Sequence, residues 1–263
     1  MNEQELRRRS PAFYVANVAI CAALYAVVNG LSALVPVPLV IGEFRPGVVI
    51  PALYTIAFGA RVGAVGAAFG SLIGDVLFLT PLGKTNPFLA LVAGFPANLI
   101  GFLIFGYLVN KAKSWSGYTY STLISLFVGN LIAGAVVVFV AIPGLTFSQQ
   151  IAQTLLFTFF WLGTMIPFMQ ILLPILLSAL QASSISSILN STISTWKKET
   201  PRSIFMTGLL SSLPLLVILL ASYQSSFEGL LGPYATWFRI LVVLSAAFLL
   251  AAPVAPYLSG RKQ

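Results

Sequence analysis

Long apolar runs broken by short polar segments set the rhythm of this chain. Eight runs stand out: Ala12–Leu34, Pro46–Ala60, Val62–Leu79, Phe88–Val109, Tyr120–Ile142, Ile151–Leu180, Ile204–Ser222 and Tyr234–Leu258. They lack the period-two alternation of barrel strands, and most approach the ~20 residues that a helix needs to cross a bilayer. In lipid a helix satisfies its backbone hydrogen bonds within one segment. The pattern therefore predicts an all-α integral membrane protein. The second run is short, and the sixth is long and carries Pro167 and Pro174, which predict a kink.

Composition sharpens this reading. The chain has 263 residues, 58% hydrophobic and 8% charged, with a mean hydropathy of +0.96. A soluble domain carries about 25% charged residues, so this chain lacks the polar surface to face water. The net charge of +8 is arranged as an orientation signal. With a cytoplasmic N-terminus, eight crossings return the C-terminus to the same side. Arg7, Arg8, Arg9, Arg61, Lys111, Lys113, Lys197, Lys198, Arg202, Arg261 and Lys262 then all lie inside. Only Arg45, Lys84 and Arg239 remain outside or in the outer leaflet, which satisfies the positive-inside rule. The chain is expected in the cell membrane, multi-pass, surrounded by membrane lipid, with both termini cytoplasmic and no nucleic-acid partner. The basic N-terminus precedes an apolar run longer than a signal-peptide core, so it reads as a retained first helix.

Several chemistries are excluded. There is no histidine and one cysteine, Cys21. An intrachain disulfide is impossible, the commonest metal ligand is missing, and no cofactor or metal site is expected. Cys21 has no base beside it and no helix carries paired carboxylates, so intramembrane catalysis is set aside. Gly83-Lys84-Thr85 imitates the end of a phosphate-binding loop, but Phe78 stands where the first glycine is required. ATP binding by this chain is rejected.

The candidate chemistry centres on Val40–Asp75, which holds Glu43, Arg45, Arg61 and Asp75. Ionisable groups inside a membrane are costly and mark function by default. Asp75 lies one turn, ~6 Å, before Leu79. Its nearest cations by topology are Arg45 and Lys84. The pair Asp75–Arg45 is either a structural ion pair or part of a ligand cluster, and it can serve both purposes. The outer loop Thr80–Pro87 offers Lys84 and Asn86 as donors. Asn98 lies ~16 Å into its run, and Asn130 reaches a similar depth from the other side. Either amide binds a ligand or bonds a neighbouring helix. At the start of the sixth run Gln149 and Gln153 share a face, with Trp161 two turns deeper, as in the lining of a small-molecule pocket.

Small residues form a second pattern. Gly66, Gly70 and Gly74 make one ridge, and alanines at Ala12/Ala16, Ala19/Ala23 and Ala22/Ala26 smooth the first helix for close packing. The Ser/Thr-rich stretch 182–203 places Ile185, Ile188, Leu189, Ile193 and Trp196 on one helical face. It is expected as a cytoplasmic amphipathic linker or a plain connection. Beyond it, 204–263 form a transmembrane hairpin and tail.

Four of these features together carry a resemblance. They are Ala19-x-x-x-Ala23, a proline-containing outer loop entering Phe44-Arg45-Pro46, the turn Phe58–Ala64, and a Gly/Ala-rich third helix ending in Gly74-Asp75. Residues 12–181 resemble the substrate-binding S component of an energy-coupling factor (ECF) transporter. The resemblance implies a six-helix S-component-like bundle over 1–181, with the C-terminal two-helix hairpin added. It implies a substrate-specific binding subunit of an ATP-driven, vitamin-type micronutrient importer, capturing a small polar ligand at the outer side. Ala19 and Ala23 would dock on a separate transmembrane coupling subunit, and separate ATPase subunits would hydrolyse ATP. The lack of histidine argues against the nickel- and cobalt-specific branch. The expected binding residues are Glu43, Arg45, Asp75, Lys84, Asn86, Asn98, Gln153 and Trp161. The alternative is a stand-alone proton-coupled secondary transporter, with Asp75 or Glu43 taking the proton.

Overall fold

Polar caps set where several of the helices begin. The computed structural model describes residues 10–35, 43–181 and 196–258. Every helix and turn in them is built without a strand. Seven helices are long and apolar enough to cross a membrane: α1 (Pro11–Ser32), α3 (Ala60–Leu79), α4 (Pro87–Ala112), α5 (Trp115–Ala141), α6 (Phe147–Leu180), α7 (Pro201–Ala221) and α8 (Ser225–Leu250). The shorter α2 (Pro46–Phe58) lies between α1 and α3.

Three of these helices start before their apolar runs. α5 begins at Trp115 because Ser114 caps it, its hydroxyl accepting from Gly117 N at 3.0 Å. α6 begins at Phe147 through a capping box between Thr146 and Gln149. At α7, Thr200 Oγ1 accepts from Ser203 N at 3.2 Å. Such caps satisfy backbone donors that hydropathy does not register. Glu228 lies in the first winding of α8, ahead of the last apolar run.

The long helices pack in succession, with the short α2 passed over: α1 on α3, α3 on α4, α4 on α5, and α5 on α6. The glycine ridge of α3 is the bed for α1. A Cβ at Gly70 would stand 2.7 Å from the Ala22 carbonyl oxygen, and one at Gly66 would stand 2.6 Å from Cys21 Sγ. α1 therefore has two small-residue faces. Ala22 and Ala26 are buried against α3, while Ala12, Ala16, Ala19 and Ala23 look outward from the bundle. Gly59, at φ 102°, makes the tight turn that sets α2 antiparallel to α3. α7 and α8 pair with one another and cover α5 and α6.

One end of the bundle gathers basic residues. Lys113, in the left-handed region at φ 47°, accepts through its carbonyl from Lys197 N at 2.7 Å. Trp115 and Trp196 meet edge to face at 5.0 Å, and a Glu199 carboxylate oxygen accepts from Ser116 N at 2.9 Å. Lys111, Lys113, Lys197 and Lys198 thus share one end, as the charge pattern requires. The N-terminal arginines, the 36–42 loop with Pro36 and Pro38, Arg261 and Lys262, and the 182–195 portion of the expected linker lie outside the described residues.

Candidate functional site

Arg45 immediately precedes Pro46, whose fixed φ suits the first turn of α2. Asp75 opens a wide π-helical winding, Asp75–Leu79, at the far end of α3. There Thr80 N donates to the Asp75 carbonyl at 2.8 Å and Thr80 Oγ1 at 3.0 Å. α4 carries a matching winding, Ala90–Gly94. The end of this one meets the start of the other: a Cβ at Gly94 would stand 3.0 Å from Asp75 Oδ2. Such windings recur at functional sites.

Between these elements the ions converge. Arg45 Nε is paired with Glu43 Oε1, and Arg45 Nη2 lies 3.6 Å from Asp75 Oδ1. Glu43 is 2% exposed, Arg45 8% and Asp75 3%, so the cluster is withdrawn from its surroundings and each charge depends on the others. Arg45 Cζ also lies 5.7 Å from the Trp161 ring centroid, within cation–π range. Trp161 itself stacks on Phe157 at 5.5 Å. Arg45 therefore joins the α2–α3 wall to α6. Lys84 Nζ donates to the Ala33 carbonyl at the end of α1, fastening the Thr80–Asn86 loop there. Among the described residues no carboxylate lies within ion-pair reach of Lys84.

These groups border one hollow between the helices, open at its mouth. Glu43, Arg45, Asp75 and Lys84 form its ionic wall. Asn98 and Phe102 of α4, Asn130 of α5, and Trp161 and Met165 of α6 line the remainder. The helices α4 and α5 cross closely at Gly101 and Gly129. A Cβ at Gly129 would stand 3.1 Å from the Ala97 carbonyl oxygen and 3.5 Å from Gly101 Cα.

The expected site residues divide. Glu43, Arg45, Asp75, Lys84, Asn98 and Trp161 all line the hollow. Asn86 and Gln153 are not part of that lining. Asn86 is a helix cap, its Oδ1 accepting from Leu89 N at 2.9 Å, a role natural to an Asn before Pro87. Gln153 is half-buried on α6. Eight residues along a helix turn a side chain by ~80°, so Gln153 does not share the heading of Trp161, whereas Met165, one turn further, does. Asn98 is spent on the fold: Nδ2 donates to the Gly94 carbonyl at 2.8 Å, and Oδ1 accepts from Tyr25 OH at 3.1 Å. Phe102 and Met165 were not singled out, because nothing marks them among the other apolar residues. The Gly101–Gly129 pair offered a usable signal, two glycines at matching depth in consecutive helices.

No family model, curated protein or solved structure matches the chain. The fold is that of an all-α protein with a hollow inside a multi-pass membrane bundle.

Proposed function

We propose that this chain is the substrate-binding subunit of an ATP-driven importer of a small, vitamin-type micronutrient, of the S-component kind. The ligand enters from the Lys84 end, which faces the exterior, and both termini are cytoplasmic. The observation that carries the reading is the buried Glu43–Arg45–Asp75 cluster on the wall of a hollow between the helices. Buried charges of this kind in lipid-embedded helices are expensive to keep and mark substrate pathways. Two further features support it. The sequence has no nucleotide-binding motif, so the energy comes from partner subunits. The outward Ala19/Ala23 face of α1 permits close approach by a transmembrane coupling subunit.

The test combines retention and docking. Protein purified gently into nanodiscs is expected to retain a small molecule detectable by mass spectrometry. Ala19→Trp should keep that molecule yet fail to co-purify with the coupling and ATPase subunits of the same genome. Normal complex formation by Ala19→Trp would remove the docking surface from the proposal. Uptake by cells making this chain alone, collapsing with a proton uncoupler, would establish the secondary transporter instead.

A further inference from the structure

Two asparagines line the hollow, and their bonding differs. Asn98 has both ends of its amide engaged by Tyr25 and Gly94. Asn130, 7% exposed, donates from Nδ2 only to Met165 Sδ, at 3.6 Å. A thioether is a weak acceptor, and no protein donor reaches Asn130 Oδ1 among the described hydrogen bonds. Asn130 stands ~22 Å along α5 from Trp115, far from either end of the helix. An amide left so poorly bonded at that depth carries a desolvation cost. A ligand amide would remove it.

Asn130 lies on a different helix from the ions: α5 carries Asn130 and α3 carries Asp75, each packs on α4, and both residues line the hollow. Ala133 and Val137, further along α5 toward the end of the bundle where Lys84 lies, add apolar lining. On the ionic wall Arg45 is shared by Glu43 and Asp75, whereas Lys84 has no acidic partner among the described residues. Lys84 donates to the Ala33 carbonyl and keeps its remaining ammonium hydrogens and its unpaired charge for a ligand anion.

We infer that Asn130 and Lys84 are the two polar recognition points of the hollow, and that its ligand is an elongated monoanion. An uncharged amide-type group, such as a lactam or carboxamide, meets Asn130. An apolar body lies against Ala133 and Val137, and a carboxylate meets Lys84. The inference rests on reading the hollow as a ligand site and adds what that site selects. The carboxamide of Asn130 offers both a donor and an acceptor, which a lactam matches with its carbonyl and N–H. A hydrocarbon analogue leaves Asn130 unpaired.

Three probes test it: a pyrrolidone-bearing hexanoic acid linked through ring carbon, its methyl ester, and cyclopentyl hexanoic acid. Binding to the full chain in nanodiscs is read by calorimetry. Wild type should prefer the lactam acid to the cyclopentyl acid, and to the ester, by about tenfold or more in each comparison. Asn130→Leu should reverse the first preference and leave the second in place. Lys84→Met should erase only the second. Where Asn130→Leu does not fold, Asn130→Ser gives the same reading, its lactam preference falling at least severalfold with cyclopentyl affinity held. Equal binding of lactam and cyclopentyl acids by wild type, or a lactam preference surviving in Asn130→Leu, overturns the assignment. Retention of some other small molecule with no binding of these probes overturns the ligand class and leaves the importer reading standing. No retained molecule and no probe binding removes both.

Discussion

Two arginines in this molecule face opposite demands. Arg45 lies in the N-terminal bundle, its side chain 10% exposed, between carboxylates that are 2% and 5% exposed. Arg239 lies in the α7–α8 hairpin. It reaches Glu228 at 3.2 Å, but that carboxylate is 50% exposed. Its other donors go to Ser222, with Nη2 bonding the backbone carbonyl at 2.7 Å and Nε the hydroxyl at 3.2 Å. Its guanidinium lies 4.0 Å from the Tyr223 ring centroid. Arg239 therefore ties the end of α7 to α8, with its needs met by the backbone. Arg45 is held by side chains alone, on the wall of a hollow. A guanidinium spent on carbonyls fastens helices, whereas one poised among cavity-facing carboxylates is available to chemistry.

Removing each arginine in turn should separate these roles. Arg45→Ala leaves Glu43 and Asp75 buried without their cation, a loss of about 3–5 kcal/mol in comparable buried pairs. Thermal unfolding in detergent should register it, and small-molecule retention should vanish. A melting profile and retained ligand like those of wild type would place Arg45 in the fastening class. Arg239→Ala should cost about 1–2 kcal/mol through the lost bonds to Ser222 while ligand retention stays unchanged. Loss of retention there would couple the hairpin to the hollow. Glu228→Gln should be smallest, within about 0.5 kcal/mol, because half-exposed ion pairs contribute little. A larger drop in melting temperature would show that the Arg239 tie depends on charge after all.

The contrast also shows what the chain discloses by inspection. Asp75 and Arg45 were conspicuous because ions are scarce in an apolar sequence, and the hollow includes both. The glycine ridge was equally legible, since a four-residue repeat of the smallest side chain has few purposes besides a close neighbour. Roles decided by local hydrogen bonding were not. Asn86 and Gln149 have the composition of pocket residues, yet both cap helix starts, because a polar side chain ahead of an apolar run satisfies free backbone N–H groups first. The different fates of Asn98 and Asn130 hinge on Tyr25 and Met165, partners remote in sequence that no spacing rule pairs with them. Wide windings leave no mark in the apolar pattern, which continues through Asp75–Leu79 unbroken.

That winding has a geometric consequence for the loop beyond it. A π-helical turn accommodates one residue more than ordinary winding, and each helical residue rotates the chain by ~100°. Rewinding Asp75–Leu79 as regular helix with no residue removed would swing the exit of α3 by about that angle. Lys84 would then leave the Ala33 carbonyl and point toward another quarter of the bundle. The aim of this lysine is stored in one wide turn.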